Sequence, residues 1–138
     1  MGKQDELELL CSMVKRLNQE VGLPFWYAEV FVAYGGKCAY CDEDLLSNRI
    51  AYSAAMIDHV LPRSKYPDFA TDQMNLVLSC ASCNSIKNSQ DPLHPGEDPE
   101  EMLKNNRAEL IQRIRDEIQE EVKRRNGTWE KVASILRS

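Results

Sequence analysis

The sequence predicts an α+β fold: a small core of two short strands and a helix, clamped by four cysteines and flanked by helices at both ends. Three observations predict it. Two CxxC pairs, Cys38/Cys41 and Cys80/Cys83, bracket a central insert. Strand-like apolar patterns lie inside that insert, and spacings of three and four govern both flanks. The chain has 138 residues, 43% of them hydrophobic, which suits one modest core. Three spans follow: an N-terminal helical segment over 1–34, a core over 35–95 and a C-terminal helical extension over 96–138.

Residues 4–20 read as a helix, because Leu7, Leu10, Cys11, Val14 and Leu17 recur at helical spacing. Gly22 and Pro24 break it and start a second helix over 24–34, which Gly35-Gly36 ends with a left-handed stop. Cys38 to Cys41 form a tight turn. Residues 49–58 alternate weakly and read as a strand. Residues 61–73 hold Pro62 and Pro67 and read as a loop, long enough to be functional. A second strand spans 75–79, and a helix over 81–89 starts at the second cysteine turn. Three prolines make 91–99 a linker. A long helix over 100–125 shows an apolar stripe of Leu103, Leu110, Ile114, Ile118 and Val122. Asn126-Gly127 is read as its stop, with Thr128 capping a last helix. Lys123, Arg124 and Arg125 then favour the negative end of the helix dipole, and a contact with a nucleic acid is the other reading.

No apolar run approaches the length of a membrane span, and the acidic, polar N-terminus is not a secretory signal. The expected location is the cytoplasm, with no membrane partner. Five cysteines and no export signal argue against a disulfide framework. Cys11 stands alone in a helix and is expected to be a small buried apolar residue. The four paired cysteines supply the tetrahedral thiolate set of a structural zinc. Such a closed set leaves no open position for water, so this zinc is expected to hold the fold rather than to catalyse. Free core thiols are the plainer reading, but two CxxC pairs rarely arise that way.

Between and after the cysteine turns the chain reads Ile57-Asp58-His59-Val60-Leu61-Pro62, then Asn75-Leu76-Val77, then Cys80-Ala81-Ser82-Cys83-Asn84-Ser85-Ile86-Lys87. These stretches resemble the HNH endonucleases, also called His-Me finger or ββα-metal nucleases. The version resembled has its core between two CxxC zinc turns. The likeness covers 35–90 and neither the N-terminal helices nor the C-terminal third. It implies a ββα-metal core and a metal-dependent enzyme that nicks or cleaves DNA by phosphodiester hydrolysis. His59 would activate water, and Asp58 and Asn84 would hold one divalent ion. Asn75 would fix the loop that orients His59. Lys87, one helical turn after Asn84, would touch phosphate or support the site, and Arg63 and Lys65 would meet the DNA backbone. The family's third motif residue is usually histidine. Asn84 in its place resembles the HNH domain of RNA-guided CRISPR nucleases and implies magnesium or manganese rather than a softer ion.

The chemistry of the residues agrees. Phosphodiester cleavage needs an activated water and a cation on the phosphate. Histidine is the natural base near neutral pH, and oxygen ligands suit magnesium. Successive strand side chains point to opposite faces, so Asp58 and His59 converge only where the strand ends or twists. Each residue alone has a plainer reading: an ordinary Asp-His pair, a strand-entry asparagine, solvated lysines. Their joint spacing within the cysteine turns outweighs those readings. His94, between prolines in the linker, reads as a surface residue.

The net charge of −5 is unusual for a nucleic-acid binder. It implies weak binding to naked DNA, and either a modest nicking enzyme or one that acts within a larger assembly. The apolar stripe of the C-terminal helix must pack on the core, on a second copy or on a partner protein. The competing reading is a non-catalytic zinc module for nucleic acid or protein, which would not need Asp58, His59 and Asn84 together.

Overall fold

Two antiparallel strands, β1 (Met56–His59) and β2 (Leu76–Ser79), form the centre of the fold, with Asp58 opposite Val77 and His59 opposite Leu76. These positions come from a computed structural model that describes residues 2–138. Met1, the first residue of the expected N-terminal segment, lies outside them. All four residues of β2 are buried, so β2 is the covered strand and β1 the exposed one. A two-stranded ribbon is marginal by itself and needs other elements against it. The first cysteine turn supplies one: the Ala39 N–H donates to the Leu78 carbonyl at 2.8 Å.

Six helices surround this ribbon. The first, α1 (Lys3–Arg16), runs into a π-helical turn at Leu17–Val21 and stops at Gly22 with φ 82°. Next, α2 (Phe25–Ala33) ends before Gly35 and Gly36, both left-handed. A Cβ on Gly36 would lie 2.7 Å from Leu46, so both φ and space select glycine there. After the cysteine turn comes α3 (Arg49–Ser53), and after β2 comes α4 (Ala81–Lys87). The chain closes with α5 (Pro99–Asn105) and α6 (Arg107–Leu136).

Several boundaries differ from the sequence reading. The strand expected over 49–58 is helical in its first half. Asn48 caps that turn, accepting from the Ala51 N–H at 2.9 Å, and extended structure begins only where β2 offers a partner. The long C-terminal helix breaks at Asn106, and its first piece starts at Asp98, whose side chain caps the Glu101 N–H. Helix α6 passes through Asn126-Gly127 without stopping. Mid-helix glycine costs only about 1 kcal/mol, too little by itself to stop a helix of this length. Lys123, Arg124 and Arg125 therefore lie mid-helix, away from the dipole's end, and Arg124 and Arg125 pair with Glu121. Cys11 is exposed rather than buried, as α1 has no fully buried residue.

One buried cluster runs from Val30 and Phe31 on α2, through Leu76, Val77 and Leu78, to Leu110, Ile114 and Ile118 on α6. The apolar stripe of the C-terminal helix is thus core over its first half. Each such side chain contributes about 1.5–3 kcal/mol on burial. Three arginines complete the attachment of α6. The Arg107 guanidinium donates to the carbonyls of Met74 (2.6 Å) and Leu76 (3.3 Å). Arg113 makes a forked pair with Glu97 at 2.7 and 2.9 Å. Arg115 reaches the Ala39 carbonyl at 2.9 Å and the Asp42 carboxylate at 2.8 Å, so α6 holds the first cysteine turn directly. Among the described residues no helix is long and apolar enough to cross a membrane.

The Arg113 hydrogen bonds, with the His94 N–H, hold the Glu97 carboxyl down at about 2, against an ordinary 4.5. A depressed carboxylate adds stability that is present above the unfolded value and is lost as pH falls through the folded one. Glu97→Gln should therefore lose stability relative to the parent at neutral pH and close that gap between about pH 4.5 and 2. Thermal melts of both proteins across that range check it, and a pH-independent difference would refute the linkage.

Candidate metal centre and nuclease site

Four sulfurs set the geometry. Cys38 and Cys41 come from the turn after α2. Cys80 is the N-cap of α4, and Cys83 lies in its first turn. Their Sγ atoms all lie within 4.8 Å of one another, and Cys41 and Cys80 are 3.7 Å apart. Zinc–sulfur bonds of about 2.3 Å in a tetrahedron put the sulfurs about 3.8 Å apart, so the donor set fits that metal. Backbone N–H groups already point at two of the sulfurs, Tyr40 N–H at Cys38 (3.4 Å) and Cys83 N–H at Cys80 (3.3 Å). Thiol hydrogen bonds from Cys80 and Cys83 pull the Cys38 thiol far below its ordinary range. Its partners move the other way. The hydrogen bond to Cys38 pushes Cys83 up and Cys80 up to about 12, while burial pushes Cys41 up. Neighbouring thiols stabilise a single thiolate, whereas further thiolates at this spacing would repel it, so holding four of them would take a cation between them.

Tyr40, inside the first CxxC turn, connects this cluster to β1. It is fully buried, and its hydroxyl donates to Asp58 Oδ2 at 2.6 Å. Burial, then the Asp58 charge, push the Tyr40 hydroxyl well above its ordinary range, so it remains a donor. On the same oxygen Lys87 places its ammonium at 3.1 Å, and it also donates to the His59 carbonyl at 2.8 Å. Lys87 is 2% exposed. Lys87 therefore does not stand exposed for the expected phosphate contact: helix α4 turns it into the core, against the Asp58 carboxylate. Oδ1 of Asp58 accepts no hydrogen bond from the described residues.

Asn84 precedes Lys87 by one turn of α4. Its amide nitrogen lies 3.2 Å from the Met56 sulfur. Met56 and Asp58 are two apart on β1 and share a face, so Asn84 stands on the Asp58 side. A carboxylate and an amide oxygen are hard donors of the kind that magnesium takes.

His59 ends β1 and turns the other way. Its Nε2 sits 2.9 Å from the Ala70 carbonyl. It lines an open hollow of about 440 Å³ with Trp26, Arg63 and Gln73. A carbonyl only accepts, so Nε2 carries a proton, and in the neutral ring the lone pair is then on Nδ1. Asn75 is fully buried and pins the loop before β2. It accepts from the Leu61 N–H at 2.7 Å and donates to the carbonyls of Leu61 and Phe69, both at 3.1 Å. Phe69 adjoins Ala70, so the carbonyl that meets His59 belongs to a segment Asn75 holds. Arg63 is exposed beside His59. Lys65 instead pairs with Asp91 at 2.8 Å, tying the loop to the linker. His94 is exposed.

Sequence reasoning passed over Tyr40 and Trp26. Tyr40 lies between two cysteines of a turn whose sulfurs converge, which marked its backbone but not its hydroxyl. Trp26 reaches the His59 hollow from α2, a contact between distant segments with no local sign.

Residues 38–90 match the HNH endonuclease family. Protein ea31 of Escherichia phage lambda is 34% identical over 65 residues, 47% of this chain and 20% of that protein. Septu protein PtuB of Bacillus thuringiensis is 29% identical over 87 residues, 63% of this chain and 33% of that protein. The chain thus spans a fifth to a third of the length of these curated relatives. No solved structure matches it.

The cysteine cluster should hold one zinc per chain, countable by native mass spectrometry. Zinc binding in small structural sites is worth about 10–16 kcal/mol, as much as or more than the roughly 5–15 kcal/mol of a whole domain. Cys80→Ser, or removal of the metal by a strong chelator, should therefore unfold the core rather than loosen it. Metal-free protein with an unchanged melting temperature would exclude a structural metal.

Proposed function

We propose that this chain, which carries an HNH domain, is a metal-dependent endonuclease that nicks or cleaves DNA by phosphodiester hydrolysis. The observation that carries the reading is the division of groups at the end of β1. A histidine with a free ring nitrogen faces an open hollow beside Arg63, and a restrained carboxylate with one spare oxygen lies on the other side near Asn84. The reaction requires a phosphodiester that reaches both sides of this strand end.

In this reading His59 takes the proton of the attacking water on Nδ1, with Nε2–H held by Ala70. Asn75 keeps the loop in register and so positions the imidazole. Asp58 and Asn84 would hold magnesium or manganese, which would supply positive charge to the phosphate and leaving oxygen. Tyr40 and Lys87 restrain the Asp58 carboxylate, so it presents Oδ1 without a search among rotamers. Arg63 contacts the DNA backbone beside the hollow. Lys65 reaches a phosphate only by leaving Asp91. A zinc–thiolate clamp fits a reducing compartment, which supports the cytoplasm.

His59→Ala should lower plasmid nicking in magnesium by about 10²–10⁴-fold, with zinc content and melting temperature unchanged. Asp58→Ala should weaken manganese binding measured by calorimetry and recover part of its activity at high manganese. Asn84→His should widen the usable metals toward softer ions. A His59→Ala protein that cuts as fast as the parent would leave the non-catalytic zinc module as the reading.

Because the net charge is −5, binding of random duplex by the chain alone should be weak and fall steeply with salt. Fluorescence anisotropy over a salt series checks this, and tight, salt-insensitive binding would contradict it.

A further inference from the structure

Two helical faces of this chain lie uncovered. Helix α1 and its π-helical turn carry Leu7, Leu10, Val14, Leu17 and Val21, spaced three-four-three-four. Val14 and Leu17 are half-buried beside α2, but Leu7, Leu10 and Val21 are 40–62% exposed. Beyond Val122, which still packs against the core, α6 leaves it. From Val122 the arm continues with Arg125, Trp129, Val132 and Leu136, again three-four-three-four and in phase with the buried stripe of Leu110, Ile114 and Ile118. Trp129, Val132 and Leu136 are 49–78% exposed.

The two seams match in phase, and each covers fourteen residue steps, about 21 Å of helix. This repeat is the pattern with which one helix seats along another. Charge completes the match. Residues 122–138 hold five basic side chains against Glu130; Arg124 and Arg125 pair with Glu121, which leaves Lys123, Lys131 and Arg137 without an ion pair among the described residues. The first turns of α1 place Asp5, Glu6 and Glu8 beside its seam against one base, Lys3, while Lys15 and Arg16 lie at its far end.

We propose that the α6 arm of one copy packs along α1 of a second copy, and the reverse, closing a two-fold dimer through two equivalent helix pairs. Reciprocal exchange uses each exposed seam once and leaves no open end for further growth. It also doubles a contact that, as one four-turn pair, falls short of the roughly 1,200 Å² of a specific interface. The assignment is independent of the nuclease chemistry.

Sedimentation velocity of the full chain at tens of micromolar tests it, with Trp129→Glu in the arm and Leu10→Glu in α1. Both positions are exposed, so melting temperatures should stay near the parent's. The parent should sediment as a dimer and each variant as a monomer of half the mass. An equimolar mixture of the two variants should regain a dimer, weaker than the parent's, because the mixed pair keeps one intact arm–α1 contact. A parent monomeric throughout, or a mixture no better than either variant, overturns the proposal. Loss of the dimer in Trp129→Glu alone assigns an arm–arm contact instead. A monomeric parent whose Trp129→Glu form loses affinity for a short DNA duplex gives the arm to nucleic acid. Both results also overturn it.

Discussion

The constraint on which the rest depends is the convergence of four sulfurs from two turns 39 residues apart, as measured from Cys41 to Cys80. Two strands of four residues cannot hold a fold. Locking the first turn to the start of α4 converts a marginal hairpin into a rigid frame. Everything between the turns is then an insert on fixed ends: α3, β1, the proline-bearing loop and β2. The ordering cost of that insert is lower because its ends no longer search for each other.

The same frame makes a buried ion pair tolerable. Asp58 and Lys87 are almost fully covered, and a buried charge without a partner is costly. Here the ammonium meets a carboxylate and a carbonyl, and the carboxylate also accepts from Tyr40. Such a network contributes little net stability compared with an apolar replacement. Its consequence is geometric, because Tyr40 belongs to one cysteine turn, Lys87 to the helix that the other begins, and Asp58 to the strand between. The position of the carboxylate is thereby fixed by the metal-holding frame. Helix α6 reinforces it from outside through Arg115, which grips the first turn at Ala39 and Asp42.

Two kinds of loop anchoring meet at His59. Asn75 closes the loop from within by hydrogen bonds to backbone at Leu61 and Phe69, and the Lys65–Asp91 pair ties its outer side to the linker. Lys65 remains largely exposed and is therefore a weak tether, whereas Asn75, with no solvent access, is a strong one. The carbonyl that meets His59 thus belongs to a loop held by a buried amide rather than by surface charge.

What the sequence by itself determined is whatever depends on spacing along the chain. The CxxC pairs, the Asp58-His59 step, Asn75 and Asn84 are local patterns, and so is the helical period on both flanks. The helix at 49–53, the break at Asn106 and the unbroken run through Gly127 were misread. In each, weak local preferences were decided by a cap, a missing strand partner or the length of the helix. Only the tertiary structure decided that Lys87 faces inward, that Tyr40 holds Asp58, that Trp26 borders the His59 hollow and that half of α6 is core. Those contacts join residues far apart in sequence, and a side chain's partner there is set by the packing of whole elements rather than by its neighbours along the chain.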